Sequence, residues 1–305
     1  MLRGSLLAAV LFALLGLESG VGHVRNGRIA YEHVGDGKRF QIYTVTATGA
    51  HRQPLTTGHR YSSYEPAYAP HGERIVFVRA FKQSDLWTMN ADGAHQRDLT
   101  STAHVDEVDP AWSADGKEIA FAVEKPVAEQ GIWVIGADGQ GSRQVTSGDD
   151  TRPSWSPDGS EIAFQRDDLV TETDSILVVP AAGGPPTTLS SDPGASDLEP
   201  AWSPDGARIL FVSDRPDMLQ LDLWVMNADG GDVHRVTNTP SRDEVEPAWS
   251  PDGRRIAYSA HGAFHGASSS QIYVADANGT RRRILTHACG GCAWANDDPS
   301  WQPLP

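Results

Sequence analysis

A short phrase recurs six times along this chain, and the recurrence constrains the fold more than any other feature. Each copy contains Pro-Ala or Pro-Ser followed by an aromatic residue, and the complete copies end in a Pro-Asp-Gly-like turn. The aromatic residues are Tyr68, Trp112, Trp155, Trp202, Trp249 and Trp301. Their intervals of 44, 43, 47, 47 and 52 residues are typical of one four-stranded propeller blade each.

Each interval carries the patterns of four short strands, named a to d from the phrase onward. The phrase is strand a, and Ser-Pro-Asp-Gly predicts the tight turn after it, because proline presets φ and glycine adopts the left-handed corner. An alternating run such as 75–77 follows as strand b. A second phrase, such as 86–93, predicts strand c and ends in the Asp-Gly of a hairpin. Strand d is expected near Leu99 and Thr100 and near the pairs 145–146, 189–190, 236–237 and 285–286.

The two ends of the chain supply complementary parts of one blade. Residues 26–31, 41–45 and 55–56 fit strands b, c and d of a unit without strand a, and 299–301 is a strand a with nothing after it. Joining them closes the ring and removes exposed sheet edges. The sequence therefore predicts an all-β, six-bladed propeller of four-stranded antiparallel blades, closed by a composite blade made from both termini.

The N-terminal segment differs in kind from the repeats. Arg3 precedes an apolar run of twelve residues from Leu6 to Leu17, and Gly20 and Gly22 follow it. Such a run is too short to span a bilayer but fits the central region of a signal peptide. We expect residues 1–22 to be a signal peptide and 23–305 to be the propeller. We expect the mature protein to be periplasmic or secreted and to lack a membrane span. We also expect it to be monomeric.

The charge balance narrows the class of partner. The chain has 25 Lys and Arg residues against 40 Asp and Glu, a formal net charge of −15. A protein that binds nucleic acid by neutralising phosphates needs a basic face, which this sequence does not indicate. The acidic balance favours cations or basic partners.

Both recurring phrases resemble the repeats of the TolB-type propeller family, which is loosely related to the WD-repeat proteins. The resemblance covers residues 26–305 and implies a propeller without the additional α/β domain of TolB. It therefore does not indicate a role in the Tol–Pal envelope system. Propeller-containing peptidases of the prolyl oligopeptidase type are also similar, but the Gly-x-Ser-x-Gly motif of their hydrolase domain is absent here.

Polar residues precede the proline of every strand a. Those directly before it are Glu65, Asp109, Arg152, Glu199, Glu246 and Asp298. Those two positions earlier are Ser63, Glu107, Asp150, Asp197, Glu244 and Asn296. Because strand a is innermost and positions two apart share a side, five carboxylates and one arginine are expected to ring the channel mouth. Arg152 is expected to neutralise only its neighbours, and four more carboxylates should lie just outside.

Two interpretations of this ring remain open. The carboxylates cap loop amides or stay hydrated, or they form a site for a hard cation such as Ca²⁺ or for a basic peptide. Calcium takes six to eight oxygen ligands, and the candidate ligands are Glu107, Asp150, Asp197 and Glu244.

Several residues outside the strand pattern are further candidates. Cys289 and Cys292 are expected to form a short-loop disulfide after export. A zinc site would need a fourth ligand beyond His287, and none is evident. Trp294 falls in the last inter-blade loop, where it either contacts a ligand or covers the ring closure. The other eight tryptophans are expected to pack between blades, and we interpret His261 and His265 as ordinary loop residues.

The b–c and d–a loops share one face and vary in length and composition, whereas the other face has short, similar turns. Binding residues of a rigid scaffold concentrate in variable loops. The leading hypothesis is therefore a non-enzymatic scaffold that binds a protein, a peptide (basic ones included) or a glycan through its loop face. The alternative is a metal-assisted polysaccharide lyase or hydrolase at the acidic mouth, and a third is a sugar or ion binder without turnover. The sequence does not identify the partner.

Overall fold

Six four-stranded antiparallel sheets surround a common channel in the computed structural model of the chain. The structure describes residues 24–35, 39–168, 173–190, 192–215, 220–264, 267–286 and 294–304. The predicted signal peptide, His265, His287 and both cysteines lie outside these ranges. The predicted fold class is confirmed.

The strands, numbered along the chain, divide into six blades, and each blade begins with its innermost strand except blade 1. Blade 1 contains β1 (Arg25–Gly35), β2 (Gln41–Thr46) and β3 (Gln53–Pro54), with β24 (Trp294–Leu304) as its inner strand. Blade 2 contains β4 (Ser62–Tyr68), β5 (Arg74–Ala80), β6 (Ser84–Asn90) and β7 (Arg97–Asp98). Blade 3 contains β8 (Asp106–Trp112), β9 (Glu118–Lys125), β10 (Gly131–Gly136) and β11 (Arg143–Gln144), with a 3₁₀ turn at Val127–Glu129.

The remaining three blades repeat this order. Blade 4 contains β12 (Asp150–Trp155), β13 (Glu161–Asp168), β14 (Thr173–Pro180) and β15 (Thr187–Ser190). Blade 5 contains β16 (Asp197–Trp202), β17 (Arg208–Ser213), β18 (Asp222–Asn227) and β19 (His234–Arg235). Blade 6 contains β20 (Asp243–Trp249), β21 (Arg255–Phe264), β22 (Ala267–Asp276) and β23 (Arg283–Ile284). Within the described ranges, no helix has the length and hydrophobicity to cross a membrane.

The turn between the first two strands of a blade is held by its own side chains, as blade 3 shows. The Ser113 hydroxyl and the Lys117 amide both donate to Asp115 Oδ1, at 2.9 and 3.1 Å. Gly116 has a φ of +69°, a value that residues with a side chain seldom adopt. The Ser-x-Asp-Gly pattern thus fixes the reversal that places strand b beside strand a.

In five blades the outer strand begins and ends two residues earlier than the sequence predicts. Strand β7 ends at Asp98, although the Leu99 amide still donates to the Leu86 carbonyl at 2.8 Å. The Thr100 hydroxyl then accepts a hydrogen bond from the Leu86 amide at 3.1 Å. A side chain therefore replaces the backbone ladder there, and the regular strand is shorter than the hydrophobic pattern. In blade 4 the predicted pair does lie within β15.

The hydrophobic core consists of layers between adjacent blades. One layer combines Val76 and Leu86 of blade 2 with Trp112 and Phe121 of blade 3. The Trp112 indole also donates to the Ala67 carbonyl of blade 2 at 3.1 Å. The inner-strand tryptophans that are buried are Trp112, Trp155, Trp249 and Trp301. Packing of these residues between blades is confirmed.

Blade 1 closes the ring by pairing the two ends of the described chain. Strands β1 and β24 are antiparallel, with Arg25 opposite Leu304 at one end and Gly35 opposite Trp294 at the other. Trp294 is therefore the first residue of β24, and its assignment to a loop was wrong, because β1 extends far enough to pair with it. The side chain of Trp294 is not among those described.

Strand pairing also corrects the assignment of His261 to a loop. Strands β21 and β22 remain paired from Arg255 opposite Asp276 to Phe264 opposite Ala267. The hairpin is longer than in the other blades, so His261 lies inside a strand. Its side chain is directed by the pleat of the sheet rather than by a loop.

Removal of residues 298–305 tests the closure. The deletion takes away most of β24 and exposes β1 as an unpaired inner edge, so we expect aggregation or a fall of more than 10 °C in melting temperature. A circular permutant is the control: it joins the present ends by a short linker and opens the turn between Asp205 and Gly206, so that every strand is kept. A soluble truncation that melts within a few degrees of the parent would contradict the closure.

Candidate functional site

The residue before the inner-strand proline adopts a left-handed backbone in all six blades. The φ angles of Glu65, Asp109, Arg152, Glu199, Glu246 and Asp298 lie between +50° and +55°. In blade 2, Tyr64 pairs with Val78 and Ala67 with Val76, so two inner residues oppose one residue of β5. This is a β-bulge, which changes the direction of a side chain within a strand. A left-handed conformation costs about 1–2 kcal/mol for a residue with a side chain. The surroundings must therefore stabilise this conformation in each of the six blades.

The stabilising contact is a hydrogen bond from one blade to the next. The backbone N–H of a pre-proline residue donates to the carboxylate of its counterpart in the preceding blade. These bonds are Asp109 to Glu65 (2.7 Å), Arg152 to Asp109 (3.1 Å), Glu246 to Glu199 (2.5 Å) and Asp298 to Glu246 (2.7 Å). The acidic ring, defined as the six pre-proline residues, therefore links consecutive blades around the channel. In these four bonds a carboxylate accepts a backbone amide, as in the capping interpretation of the ring.

Two further bonds around the channel use residues that the sequence analysis missed. An arginine cannot accept a hydrogen bond, so Gln165 Oε1 accepts the Glu199 amide instead of Arg152, at 3.3 Å. Glu32 Oε2 accepts the Glu65 amide at 3.4 Å. Glu32 and Gln165 occupy the same position of strand b, where the other blades have Val78, Ala122, Val212 and Ser259. Both could have been noticed in the sequence as long polar side chains at a position where the other repeats have smaller or apolar residues.

Arg152 reaches farther than the sequence analysis expected. Its Nε lies 3.2 Å from Asp109 Oδ1, and its Nη2 lies 3.9 Å from Glu199 Oε1 in the next blade. Its Nη1 also donates to Asp298 Oδ1 at 3.0 Å. Asp298 belongs to blade 1 and Arg152 to blade 4, which are opposite each other in a ring of six. The expectation that Arg152 neutralises only its neighbours was wrong, because the long side chain spans the channel.

The negative charges of the ring outnumber the positive ones, and the pKa values reflect this. Burial raises the pKa of Glu65, Glu199 and Asp298, and repulsion between neighbouring carboxylates adds to the shift. Burial and the charges of Asp297 and Glu199 raise the pKa of Glu246 to about 7. Burial lowers the pKa of Arg152, but Asp109, Asp298 and Glu199 outweigh it and hold that pKa well above its ordinary value. The ring is thus an acidic cluster around one fixed cation.

A cavity of about 350 Å³ extends along the inner strands, from the ring to the aromatic residues of the repeat. Pro66 and Tyr68 line it in blade 2, and Pro153 and Trp155 line it in blade 4. The channel therefore has a charged mouth and a largely apolar wall.

The four candidate metal ligands outside the ring lie on four different blades and are buried. Glu107 accepts hydrogen bonds from the hydroxyls of Thr100 and Thr102. The other three have these contacts: Asp150 with Arg166 (2.6 and 2.7 Å), Asp197 with Arg215 and Ser190, and Glu244 with Thr239 (2.5 Å). Nowhere in the described ranges do three of these four carboxylates come within reach of one ion.

A different group of potential ligands does come together beside the ring. One atom each of Glu246, His261 and Asp297 lies within 4.8 Å of the others, the one such group in the part of the chain that the structure describes. Burial raises the pKa of Asp297's neighbour Glu32 well above its ordinary value, and the charges of Asp298 and Glu246 raise it further. Asp297 was not predicted as a site residue, although it is the one acidic residue at its position in the six repeats.

Acidic residues continue outward from the channel onto the loop face. Glu124 at the end of β9 and Asp167 near the end of β13 are exposed, and Asp149 precedes β12. Burial and the nearby Asp109 raise the pKa of Glu124. Burial and Asp167 raise the pKa of Asp149. We call Glu124, Asp149 and Asp167 the acidic sector, a partly exposed patch beside the mouth.

Substitution of Arg152 tests the electrostatic role of the ring. The Arg152→Gln variant should lose about 2–4 kcal/mol of unfolding free energy, because removing one partner leaves largely buried carboxylates uncompensated. Urea denaturation at pH 7 measures this loss. The control is Arg281→Gln, which removes an arginine that is 86% exposed and pairs with Asp276 at 3.7 Å. It should cost less than about 1 kcal/mol, and equal losses in both variants would contradict the role of Arg152.

Glu107 provides a test of pH dependence. Its side chain is 2% exposed, and burial raises its pKa to about 7 although three hydrogen bonds lower it. Between about pH 4.5 and 7 the folded protein holds a proton that the unfolded chain releases, so the unfolding free energy falls as pH rises. At about 1.4 kcal/mol per pKa unit, Glu107→Gln should reduce that fall by up to about 3 kcal/mol.

The measurement is urea denaturation of parent and variant at pH 5 and pH 8. Glu73→Gln, at an exposed position, should keep the pH dependence of the parent. The same fall in Glu107→Gln as in the parent would show that Glu107 titrates normally in the folded protein.

Comparison with solved structures shows the same architecture in proteins of low sequence identity. TolB from Acinetobacter baumannii is 22% identical with a TM-score of 0.76, over 90% of this chain and 66% of that one. This chain thus spans slightly less than two thirds of that TolB. A putative TolB from Agrobacterium tumefaciens is 17% identical with a TM-score of 0.69, over 91% of this chain and 99% of that one.

An oligogalacturonate lyase from Vibrio parahaemolyticus is 14% identical with a TM-score of 0.53, over 85% of this chain and 74% of that one. At these identities the likenesses show the fold alone. No protein with a curated description matches the sequence. The family model described as TolB beta propeller domain matches residues 20–169 and 169–304. The chain therefore belongs to the TolB β-propeller family.

Proposed function

We propose that this chain is an exported, non-enzymatic propeller that binds a protein partner through its loop face. A basic segment of the partner lies at the acidic mouth of the channel. The observation that carries the proposal is the convergence of five carboxylates and a single arginine at the pre-proline positions, which line the channel.

The acidic sector extends this surface. Glu124, Asp149 and Asp167 lie on the face formed by the b–c and d–a connections, outside the ring. A concave surface of one sign attracts a partner of the opposite sign and speeds its association. The formal net charge of −15 acts in the same direction at long range. Partner recognition at this face therefore favours Lys- and Arg-rich segments.

Export rests on the N-terminal sequence. The apolar run from Leu6 to Leu17 has the length of a signal-peptide core. Membership in the TolB β-propeller family supports a periplasmic location, and secretion is the other outcome of export. The disulfide between Cys289 and Cys292 is part of the same proposal, since disulfides persist outside the cytoplasm.

A metal-assisted polysaccharide lyase or hydrolase is the second candidate. Two observations favour it, namely the fold likeness to an oligogalacturonate lyase and the group Glu246, His261 and Asp297 at the mouth. The acidic ring argues against an enzyme that acts on polyuronates, because a polyanion is repelled by a channel mouth of the same charge. Turnover of polygalacturonate that depends on a divalent cation, and that is lost in His261→Gln, would establish this function instead.

Capture from an envelope extract tests the interaction function. Immobilised mature protein should enrich one or more basic proteins, identified by mass spectrometry, and added salt should weaken the capture. The triple variant Glu124→Gln, Asp149→Asn, Asp167→Asn should reduce capture at least tenfold, because it removes three charges from the loop face.

A matched control changes the same number of charges on the opposite face. Asp92, Asp138 and Asp229 are exposed in the c–d turns, and each accepts a backbone amide that an asparagine can also accept. The triple variant Asp92→Asn, Asp138→Asn, Asp229→Asn should capture partners as the parent does. Equal capture by all three proteins would contradict binding at the acidic sector.

A further inference from the structure

Asp297 breaks the pattern of the six inner strands. At its position the other blades have Tyr64, Val108, Thr151, Leu198 and Val245. Four of these five are apolar and pack into the layers between blades. Asp297 is only 7% exposed, between blade 6 and the composite blade. A carboxylate in such a layer destabilises the fold unless a cation or hydrogen-bond donors compensate it.

The group facing Asp297 is the imidazole of His261. Its Nε2 lies 3.0 Å from Asp297 Oδ1, so the two groups form an ion pair when the imidazole is protonated, although neither buried atom has a well-aligned hydrogen bond. The same separation also suits two ligands of one ion. Metal–ligand bonds of about 2.0–2.2 Å place neighbouring ligand atoms roughly 3–3.5 Å apart.

Glu246 supplies the third potential ligand. Its Oε2 accepts hydrogen bonds from the Asp298 amide and the Ser259 hydroxyl, both at 2.7 Å. These contacts fix the orientation of the carboxylate, as partners of metal-binding carboxylates do. Ligand atoms of Glu246, His261 and Asp297 lie within 4.8 Å of one another.

Charge and access at this group also suit a cation. The side chain of His261 is 43% exposed, so the group lies near the protein surface although the Nε2 atom itself is buried. Glu32 and Asp298 interact electrostatically with Glu246 and with Asp297. A divalent cation would reduce this repulsion. An imidazole with two carboxylates suits zinc and related transition metals, whereas calcium prefers oxygen ligands alone.

We propose that Glu246, His261 and Asp297 bind a divalent transition-metal ion, with zinc as the probe, in the contact between blade 6 and the composite blade. One nitrogen and two carboxylates leave a fourth position for water. The ion compensates the buried Asp297 and links β20 and β21 to β24 at the closure of the ring. The site shares Glu246 with the acidic ring, but metal binding does not require the proposed protein partner.

Calorimetric titration of ZnCl₂ into chelator-treated, full mature protein tests the site. We expect one zinc per chain, and zinc should raise the melting temperature by mass action. His261→Gln and Asp297→Asn should each weaken zinc binding at least 30-fold. Zinc X-ray absorption should show nitrogen and oxygen at about 2.0–2.2 Å with one imidazole, and no sulfur at about 2.3 Å.

Three controls separate other sources of binding. His234→Gln removes an exposed histidine of blade 5 and should leave zinc affinity unchanged. The Cys289→Ser, Cys292→Ser variant should also bind as the parent does. Calcium should bind at least 100-fold more weakly than zinc, and any calcium binding should not depend on His261.

The melting temperature of each metal-free variant shows whether it folds. His261→Gln, at a partly exposed residue, keeps the test valid if Asp297→Asn does not fold. No saturable binding by the parent at 100 µM zinc would overturn the proposal. Zinc binding that persists in both site variants, or that is lost only with the cysteines, would overturn it as well.

Discussion

Hydrogen bonding between β1 and β24 is the interaction on which the rest of the structure depends. Every other blade is continuous in sequence, so the ring closes only where the two ends of the described chain pair, from Arg25 opposite Leu304 to Gly35 opposite Trp294. Closure fixes the distance between blades 6 and 2, and with it the inter-blade layers that bury Trp301 and Tyr68. A ring that is closed in this way also brings the six pre-proline residues around one channel.

The acidic ring shows how one local geometry serves two purposes. The left-handed bulge directs an amide of each blade toward the preceding blade, and in four cases the counterpart carboxylate accepts it. The ring is therefore part of the framework, and its charge is a consequence of that bonding pattern. Because Arg152 is the only cation among the six residues, negative charge remains at the mouth of the channel. A basic partner or a metal cation can bind to this negative charge.

Residue patterns predicted the parts of the molecule that depend on local chemistry. The Ser-x-Asp-Gly turns and the alternation around Phe77 or Phe121 need no information beyond their own blade. Trp294 and His261 were misplaced because the length of a strand depends on its partner, and the partner of Trp294 is Gly35, 259 residues away in the sequence. The reach of Arg152 to Asp298 depends on the closed ring and has no signal in the repeats. Glu32 and Gln165 were visible as long polar side chains at a position where the other repeats have smaller or apolar residues, but their hydrogen bonds also depend on the closed ring. Asp297 was visible in the alignment of the six repeats, but its neighbour His261 comes from another blade.

Amide hydrogen exchange by NMR tests most directly whether the carboxylates link the blades. The amides of Asp109, Arg152, Glu246 and Asp298 lie beside a channel of about 350 Å³, where amides without a fixed acceptor would exchange quickly. We expect these amides to exchange only when the whole propeller unfolds, at the rate of the slowest core amides such as those of Ile75 and Ile119. Glu65→Ala should speed exchange at Asp109 more than at Glu246. Exchange of all four amides within minutes in the unaltered protein would contradict this role of the carboxylates.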